Sequence, residues 1–378
     1  MSRLSYKFRL YPNKTQTVAL DRSLWLLRTL YNAAIQERKE AWKLNRVNIS
    51  FADQSKQMPD IRQNDSNYMD VQARVCLQTL RQVDKAFRSF FRRVRAGAKP
   101  GYPRFKSRDR FKSFFYNREG FKFIDGKLQL ANIGLVKIKQ HRQIEGTIKE
   151  VAVRRENSKW FVLVSCDGIP IQPLIQTGEA VGIDAGIENF ITLSDGTQIE
   201  NWKHYESSAQ QLRVAQRRVA RRKKGSSSRR KARAILRNIH QKIRNRRSDF
   251  QHKISRHLVN HYDLIAVEDL NVKGLAKGRL SKQVHDVAWS EFFRKLAYKA
   301  ESAGRQLVKV RPHFTSQDCS GCGNRLKKDL SVREHNCLIC GLSLHRDHNA
   351  ALNILSAGLA DKGLKYPVAD CLPLAVAA

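Results

Sequence analysis

Three acidic residues lie far apart in this chain, each beside a short apolar segment that is typical of a buried strand or helix. Asp184 stands in Val-Gly-Ile-Asp-Ala-Gly, Glu268 in Leu-Ile-Ala-Val-Glu-Asp-Leu, and Asp347 in His-Arg-Asp-His-Asn-Ala-Ala-Leu. Strands that alternate with helices through the second half of the chain predict a mixed α/β sheet. We expect Asp184 in the middle of its first strand, Glu268 at the end of an adjacent strand, and Asp347 at the start of a helix.

The charge of the chain is strongly unbalanced. Lys and Arg number 71 against 34 Asp and Glu, which gives a formal net charge of +37. A compact protein with this imbalance repels itself unless a polyanion neutralises it, and nucleic acid is the expected polyanion because counterion release drives such binding. A membrane is not an expected partner, since no run of about 18 apolar residues occurs. The N-terminus resembles no signal peptide, so we expect a cytoplasmic, nucleoid-associated protein.

Carboxylates in a protein built to hold phosphates indicate metal-dependent phosphodiester hydrolysis. Two Mg²⁺ ions about 3.5–4 Å apart activate a water and neutralise the leaving oxygen. Mg²⁺ prefers oxygen ligands and keeps several waters, so a few carboxylates suffice to hold it. We therefore predict Asp184, Glu268 and Asp347 as the catalytic residues and the magnesium ligands. Each of these acids taken alone also fits a turn or a strand end, and Glu188 and Asp269 are rival candidates.

Four of the seven cysteines form one short cluster, Cys319-Ser-Gly-Cys322 and Cys337-Leu-Ile-Cys340. Two such pairs predict a tetrahedral zinc site with four thiolate ligands and no open position for water, so the zinc is expected to be structural. A redox dithiol is the weaker alternative, because the two pairs occur together. The turns between the cysteines are expected to use left-handed conformations at Gly321, Gly323 and Gly341.

The first half of the chain is expected to form a small β-barrel that carries a helical insertion. Alternating apolar residues predict a strand at 4–10, and Asn13 with Gln16 predicts the cap of a following helix. A second helix is expected at about 70–95. Period-two patterning then returns between 104 and 166, with several short strands typical of a barrel. The strand at 4–10 has no partner nearby in the sequence, so we expect it to join this barrel.

The three acidic frames resemble the split active site of RuvC-type nucleases with an RNase H fold. Their order, their spacing and the intervening cysteine cluster resemble the TnpB family, transposon-encoded relatives of type V CRISPR effectors. The resemblance covers nearly the whole chain. It includes Arg9-Leu-Tyr-Pro-Asn13, Lys99-Pro-Gly-Tyr-Pro-Arg-Phe-Lys106, Val267-Glu-Asp-Leu-Asn-Val-Lys-Gly274 and Arg346-Asp-His-Asn-Ala-Ala-Leu-Asn-Ile354. The resemblance implies that Asp184, Glu268 and Asp347 bind Mg²⁺ and cut DNA.

The expected fold is a multidomain α/β protein with a β-barrel, in which an RNase H-like (RuvC) nuclease domain carries an inserted zinc ribbon. The resemblance implies a domain for each part of the chain, except for a C-terminal tail that is expected to be disordered. The expected domains are a wedge-type β-barrel at 1–11 and 104–176, a helical recognition domain at 12–103, the RuvC domain at 177–318 and 341–360, a target nucleic-acid-binding zinc ribbon at 319–340, and a tail at 361–378.

The function that the resemblance implies is an RNA-guided DNA endonuclease of a transposon. A guide RNA from the transposon end and double-stranded target DNA are the expected partners, with one protein monomer per guide RNA. Base pairing would choose the target while the protein reads duplex shape and a short flanking motif. The alternatives are a guide-independent RuvC-type nuclease and a nuclease-silent DNA-binding repressor. A strand-joining transposase is weaker, because the resemblance does not imply that chemistry.

Clusters of Arg and Lys with few accompanying acids favour phosphate binding over ordinary solvated helix faces. Three groups of residues are candidates for nucleic-acid contacts. The first lies on the helix at 70–95, where Gln and Arg can in principle contact bases in a major groove. The second combines rings with cations, as a nucleic-acid groove requires, and the third lies within 213–247. They are Arg74, Gln78, Lys85, Arg88 and Arg92, then Tyr102, Arg104 and Lys106, then Arg217, Arg221, Arg222, Arg229 and Arg230.

Overall fold

The structure is a computed structural model that describes residues 2–278, 280–329 and 332–363. The chain divides into two compact units, the first ending at Pro170 and the second beginning at Ile171. The helix predicted to start at Asp347 extends to Lys362. Beyond Gly363, the predicted tail lies outside the described residues. Among the described residues, no helix combines the length and the apolarity that a membrane crossing needs.

Unit 1 is built on a seven-stranded antiparallel sheet with the strand order β2-β6-β7-β1-β5-β4-β3. The strands are β1 (Ser2–Tyr11), β2 (Ser113–Tyr116), β3 (Phe121–Ile124), β4 (Lys127–Leu130), β5 (Gly134–Lys139), β6 (Thr147–Glu156) and β7 (Lys159–Ile169). Strand β1 lies between β7 and β5, with Phe8 opposite Val162 and Leu10 opposite Ile138. The N-terminal strand is therefore central to a sheet whose other strands come more than 100 residues later.

The two edges of this sheet approach each other. At the end of β2, the Tyr116 hydroxyl donates a hydrogen bond to the Ala131 carbonyl just after β4, with 3.2 Å between the oxygens. The Ala131 N–H donates to the Gly120 carbonyl at 2.9 Å. Closing a sheet on itself satisfies edge groups that would otherwise be unpaired. The expected small barrel is confirmed as a nearly closed antiparallel sheet.

Four helices lie between β1 and β2: α1 (Lys14–Asn45), α2 (Phe51–Lys56), α3 (Met58–Asn64) and α4 (Ala73–Arg95). Helix α1 begins at the predicted cap, where Asn13 Oδ1 accepts from the Gln16 N–H at 2.8 Å and the Gln16 side chain accepts from the Asn13 N–H at 3.1 Å. The short helices α2 and α3 occupy a polar stretch for which periodicity predicts no element. For α2, the sequence does contain a local signal for the start of a helix, because Ser50 and Asp53 form the same reciprocal cap.

Unit 2 contains a five-stranded mixed sheet with the strand order β10-β9-β8-β11-β12. Its strands are β8 (Ala180–Asp184), β9 (Asn189–Leu193), β10 (Gln198–Glu200), β11 (Leu264–Glu268) and β12 (Gln306–Val310). Strands β8, β11 and β12 are parallel to one another, and β9 runs antiparallel to both of its neighbours, β8 and β10. This confirms the predicted mixed sheet.

The first strand of unit 2 ends at Asp184, which corrects its expected place in the middle of the strand. The reason is a tight turn after the strand. A Cβ atom at Gly186 would lie 2.8 Å from the Asn189 carbonyl oxygen, so only glycine lets the chain reverse this closely into β9. The acid is therefore displayed at the edge of the sheet.

Six helices accompany this sheet, and a two-stranded ribbon lies between β12 and the last helix. They are α5 (Ala209–Ala220), α6 (Ser227–His261), α7 (Val272–Leu275), α8 (Ser281–Val287), α9 (Trp289–Ser302) and α10 (Arg346–Lys362), with ribbon strands β13 (Glu334–Asn336) and β14 (Ser343–His345). Helices α6 and α9 pack together through two buried lysines. Lys295 Nζ donates to Gln251 at 2.8 Å and Lys299 Nζ to Ser255 at 2.8 Å, and burial lowers the pKa of Lys299 to about 8.

Residues 171–178, expected to act as a linker, are hydrogen-bonded to unit 2. The Leu174 N–H donates to the Ala303 carbonyl at 3.0 Å. The Thr177 and Gly178 N–H groups both donate to the Asp263 carboxylate, at 2.9 and 2.8 Å. These bonds satisfy backbone N–H groups of the segment. The segment is therefore held against unit 2.

Helix α10 lies unusually close to the sheet, at two glycines. A Cβ atom at Gly182 in β8 would overlap the Ala351 carbonyl oxygen and lie 2.6 Å from the Leu355 nitrogen. A Cβ atom at Gly358 in α10 would lie 2.6 Å from the Ala266 Cβ in β11. Backbone therefore meets backbone where α10 crosses the strands, a contact that only glycine permits.

We expect Gly182→Ala to lower the free energy of unfolding by roughly 1–3 kcal/mol, because the added methyl group must displace the α10 backbone. Urea unfolding of the full chain measures this change. Gly101→Ala is the matched control, since a Cβ atom there meets nothing within 4 Å. Equal stability of the two variants would contradict the close contact between β8 and α10.

Candidate functional site

The structure brings the three predicted acids to one edge of the unit 2 sheet. Ile183 pairs with Val267 in the parallel strands β8 and β11, so the next residues, Asp184 and Glu268, emerge side by side at the carboxyl ends. Asp347 lies in the first turn of α10, which packs against β8. The negative charges of Glu268 and Asp347 both act on Asp184, which shows that the three carboxyl groups share one electrostatic environment.

Burial disfavours the ionised form of Asp184 and of Glu268. Burial raises the pKa of Asp184 to about 8, with further increases from the charges of Glu268 and Asp347 and an opposing effect of Arg346. Burial also raises the pKa of Glu268, against a hydrogen bond from Thr315 that favours its carboxylate. A site of this kind holds a proton at neutral pH unless a cation compensates the negative charge.

Thr315 is a site residue that sequence reasoning missed. Its hydroxyl donates to Glu268 Oε1 at 2.5 Å, which fixes the orientation of that carboxylate. Thr315 is itself held by α10, because Asn353 Nδ2 donates to its carbonyl oxygen at 2.8 Å. The signal that could have indicated this contact is the spacing of Asp347, Asn349 and Asn353, which places amides near the acid on one helix.

The rival acids lie in exposed ion pairs. Asp269 pairs with Lys309 at 3.0 Å, and Glu188 pairs with Arg333 at 2.8 Å. The side chains of both acids are more than half exposed. An exposed carboxylate that already has a cationic partner is a poorer metal ligand than a buried one, so the geometry favours the original three.

The four predicted cysteines form a compact cluster. Their Sγ atoms all lie within 4.8 Å of one another, and both the Cys319–Cys340 and the Cys322–Cys337 sulfur pairs are 3.6 Å apart. Sulfurs at a tetrahedral zinc ion stand about 3.8 Å apart when each Zn–S bond is about 2.3 Å. A disulfide would require about 2.05 Å. The cluster therefore fits one zinc ion in a zinc ribbon.

The turns of the cluster use two of the three predicted glycines in left-handed conformations. Gly323 has φ 74° and Gly341 has φ 73°. Gly321 has no positive φ, which corrects the prediction. A Cβ atom there would make only ordinary contacts, 3.5 Å from the Cys340 sulfur, so neither the backbone conformation nor the space requires glycine at this position.

Asn349 joins this ribbon to α10. Its side chain is fully buried, and its oxygen accepts from the Ser320 N–H at 2.9 Å, within the first cysteine pair. Its nitrogen donates to the Asp318 carbonyl at 2.8 Å. Asn349 follows Asp347 by two residues, so the same helical turn contacts the cysteine knuckle and carries the acid.

The candidate nucleic-acid residues on α4 differ in their surroundings. Arg74 forms an ion pair with Glu119 at 2.7 Å, and Arg88 pairs with Asp84 at 2.7 Å. Lys85 and Arg92 are exposed, and Gln78 is half-buried. Lys85 and Arg92 are therefore the residues of this group best placed for phosphate contacts.

The group after α4 is partly packed. Tyr102 is 43% exposed and lies edge-on to Phe87 and Phe90, with ring centroids 5.7 and 5.3 Å away. Lys106 Nζ lies 3.9 Å from the centroid of the Tyr31 ring, and burial lowers its pKa. Arg104 is exposed. Lys106 thus contributes a cation–π contact within unit 1.

Around the break between α5 and α6, four of the five candidates are exposed: Arg217, Arg221, Arg222 and Arg230. Arg229 differs from them. Its Nη1 donates to the Val219 carbonyl at 3.0 Å and to the Arg222 carbonyl at 2.7 Å, at the end of α5. A guanidinium there satisfies carbonyl groups that the ended helix leaves unpaired.

Sequence reasoning also missed a basic surface on the barrel, which we name the barrel cation face. It surrounds the Phe161 ring, with Lys7 Nζ 4.3 Å and Arg9 Cζ 5.1 Å from the ring centroid. The pairing of four strands places its members on one side of the sheet. The barrel cation face consists of Lys7, Arg9, Lys137, Lys139 and Arg154. Of these, Lys7 and Arg154 both pair with Glu156, at 2.8 and 3.3 Å. The sequence signal for this face is that basic residues occupy every second, outward-facing position along these strands.

Three family models match the chain. A family described as a probable transposase matches residues 151–279, and a Cas12f1-like TNB domain matches 289–354, which includes all four clustered cysteines. A helix-turn-helix domain matches residues 1–46. The structure has the strand β1 and the single long helix α1 in that range, not two helices.

Several known proteins are similar over nearly the full length. A protein of Streptomyces pristinaespiralis, provisionally named an RNA-guided DNA endonuclease, is 37% identical and covers 94% of this chain and 89% of its own length. InsQ of Escherichia coli K12, with the same provisional name, is 28% identical over 95% of this chain and 93% of its own.

A solved structure shares the fold. It is the mini-RNA-guided endonuclease CRISPR-Cas_phi3, with a TM-score of 0.51 at 11% identity, covering 97% of this chain and 94% of that one. Identity this low concerns the fold alone, whereas the Streptomyces relative is similar in sequence from end to end. From that relative, together with the matched transposase model, it follows that the chain belongs to the TnpB family.

Proposed function

We propose that the protein is an RNA-guided DNA endonuclease of a transposon, which cuts target DNA beside a short flanking motif. One observation carries the nuclease assignment: three carboxyl groups converge at one sheet edge in a chain of net charge +37. Half-buried acids that share one electrostatic environment in a strongly basic protein suit metal-dependent hydrolysis better than a structural role. Guide dependence is supported by relatives that are named RNA-guided DNA endonucleases and match nearly the whole chain.

We assign to unit 2 an RNase H-like (RuvC) nuclease domain with an inserted zinc ribbon. The support is its mixed sheet, in which β8 and β11 each end on an acid and α10 brings the third. The ribbon interrupts the chain between β12 and α10. The wedge role of the barrel, the recognition role of α1–α4 and the target-binding role of the ribbon are part of the same proposal.

Asp184, Glu268 and Asp347 are the proposed ligands of the catalytic magnesium. The fit rests on their electrostatics, since a divalent cation would relieve the repulsion that raises the pKa of Asp184. Among the described residues, only the cysteine cluster gathers three or more ligand atoms within 4.8 Å of one another.

The residues around these acids have separate tasks in the proposed reaction. When bound, magnesium supplies an activated water and neutralises charge on the phosphate. The Asp184 carboxyl must release its proton before it can act as a ligand. Thr315 keeps Glu268 oriented through its hydroxyl, and Asn353 holds Thr315 through its carbonyl. The burial of the acids limits access of bulk water to the reacting phosphate.

The guide RNA and the double-stranded target DNA are the proposed partners, with one monomer per guide RNA and a nucleoid association that follows from DNA binding. The barrel cation face offers a phosphate-binding surface on unit 1. The exposed arginines around the end of α5 offer another on unit 2. Phosphate contacts of this kind position a nucleic acid without reading its sequence.

A structural zinc ion is the proposed occupant of the cysteine cluster. The four sulfurs leave no ligand position for water, so the ion would stabilise the ribbon without taking part in hydrolysis. Through Asn349, the ribbon would also support the turn of α10 that carries Asp347.

The test of the proposed function starts from the full chain purified with RNA expressed from the flanking transposon end. Sequencing should find one copurifying RNA with a defined end, and the complex should cut duplex DNA that matches it when Mg²⁺ is present. Asp184→Ala should lower the cleavage rate by about 10³-fold or more and leave DNA binding intact, since a lost metal site removes several kcal/mol of stabilisation.

Two other outcomes of this experiment would replace the proposal. Cutting of DNA by protein freed of RNA would indicate a guide-independent nuclease. Tight binding of RNA and DNA without cutting by the unaltered protein, at any Mg²⁺ concentration, would indicate a repressor.

Asp184→Asn is expected to raise the Tm of the magnesium-free protein by about 2–5 °C at pH 7.5. The folded pKa of about 8 exceeds the reference value of 3.8, so ionising this carboxyl destabilises the fold increasingly as the pH rises between those values. The gain should therefore be smaller at pH 5 than at pH 7.5. Mg²⁺ should raise the Tm of the unaltered protein and leave that of the variant unchanged. A gain of equal size at both pH values would argue against a buried, protonated Asp184.

Cys337→Ser should reduce bound zinc from about one ion per chain to nearly none, because three thiolates hold the ion far more weakly than four. Mass spectrometry of the metal content measures this directly. Cleavage should fall as well, since the knuckle is bonded to the helix of Asp347. Cys166→Ala, which removes a buried thiol of β7, is the control that should keep its zinc. Retention of zinc by Cys337→Ser would exclude the four-cysteine site.

A further inference from the structure

A largely exposed tryptophan follows the edge strand β10. The Trp202 side chain is 61% exposed, two residues after Glu200 ends the strand. Strand β9 runs antiparallel to both β8 and β10, so β10 ends at the same edge of the sheet as β8. Trp202 therefore lies just beyond the end of the sheet at which Asp184 lies.

The ring of Trp202 is supported from inside the protein. It lies on Phe250 of α6 with 5.4 Å between centroids and an interplanar angle of 32°. Phe250 in turn contacts the buried Phe190 at 5.0 Å, and Phe190 contacts Phe292 at 4.8 Å. Aromatic contacts of this kind restrict a ring to one orientation. Trp202 thus presents a fixed apolar surface to solvent.

Hydrogen bonds fix the loop of Trp202 relative to the acids. Asn201 Nδ2 donates to the Ile187 carbonyl at 2.8 Å, and Ile187 lies in the turn directly after Asp184. On the other side, the Tyr205 N–H donates to both carboxylate oxygens of Asp286, at 3.0 and 2.9 Å. The position of the ring is therefore coupled to the loop that leaves the site.

Several cations surround the ring, and one of them, Arg247, pairs with Asp286 at 3.7 Å. Lys203 and Arg246 are exposed, and both Arg247 and Arg246 act electrostatically on His204, whose ring is 6.0 Å from that of Trp202. An aromatic surface among cations is the combination that binds single-stranded nucleic acid, by stacking bases and pairing phosphates. Bases inside a duplex are already stacked on each other, so an isolated ring selects an unpaired base.

We propose that Trp202 is a stacking platform for an unpaired nucleobase of the strand that enters the pocket of the three acids. This inference rests on the proposed nuclease function and adds a positioning residue to it. The stacked base anchors the strand beside the sheet edge, so that a neighbouring phosphate lies at Asp184, Glu268 and Asp347. The platform does not touch the reacting phosphate.

Binding is tested with a 12-nucleotide oligodeoxythymidylate that carries one 2-aminopurine, added to the full chain without Mg²⁺. Stacking on the ring quenches 2-aminopurine fluorescence. Trp202→Ala should weaken binding about 5- to 100-fold and abolish most of the quenching, while Trp202→Phe should stay within about 3-fold of the unaltered protein. Leu275→Ala is the control, because it removes an exposed apolar side chain of unit 2 (45% exposed) to which no binding role is assigned.

The salt dependence separates stacking from charge. Lost phosphate contacts reduce the slope of log affinity against log salt, whereas a lost stacking contact lowers affinity by the same factor at every salt concentration. The lines for Trp202→Ala and the unaltered protein should therefore be parallel. A changed slope, unchanged quenching, or equal effects of Trp202→Ala and Leu275→Ala would overturn the proposal.

Cleavage by the RNA-bound protein completes the test. Trp202→Ala should raise KM more than it lowers kcat, and Trp202→Phe should restore the lower KM, provided that thermal unfolding shows all variants folded. If the unaltered protein cuts nothing, the nuclease function fails while the binding comparison still decides the stacking platform. If it cuts and the KM of Trp202→Ala is unchanged, the platform alone is wrong.

Discussion

The contact between α10 and the unit 2 sheet is the constraint on which the candidate site depends. Gly182 and Gly358 let backbone approach backbone, and this distance decides how far Asp347 stands from Asp184. Any larger side chain at Gly182 would lift the helix away from the strand. The acid-bearing strand ends come from the sheet itself, but the third acid comes only through this packing. A glycine two positions before the first acid thereby becomes part of the geometry of the proposed metal site.

The cysteine cluster and the acids form one connected structure. Asn349 joins the first cysteine knuckle to α10, and Asn353 joins α10 to Thr315, which orients Glu268. Two amides on one helix therefore link the zinc ribbon to two of the three acids. Such a linkage is reciprocal, because whatever stabilises one end of a bonded network favours the bonded form of the other. Because the ribbon is inserted between β12 and α10, it directly precedes the helix to which Asn349 connects it.

Sequence reasoning reached the features that depend on local pattern or on strong motifs. The barrel, the Asn13 cap, the mixed sheet and the cysteine cluster follow from periodicity and spacing. It missed α2, which has a capping signal without an apolar period, and α3, which has a proline near its start and no side-chain cap. It also missed Thr315, whose role depends on a contact with Glu268, 47 residues away in the sequence. It also could not separate free cations from packed ones. Arg229 and Lys106 look like their exposed neighbours in sequence, and only tertiary contacts distinguish them.

The buried lysines between α6 and α9 have a consequence for how the protein responds to ionic strength. Lys295 and Lys299 place positive charge against α6, the helix that begins in the arginine-rich stretch, and their hydrogen-bond partners there are mainly neutral groups. In the free protein, counterions screen the exposed arginines of α6, such as Arg256, whose charge opposes that of the buried Lys299, and this screening stabilises the helix pair. In a complex, the same counterions compete with nucleic-acid phosphates. Rising salt therefore increases the stability of the free protein while it weakens the binding of nucleic acid in the complex.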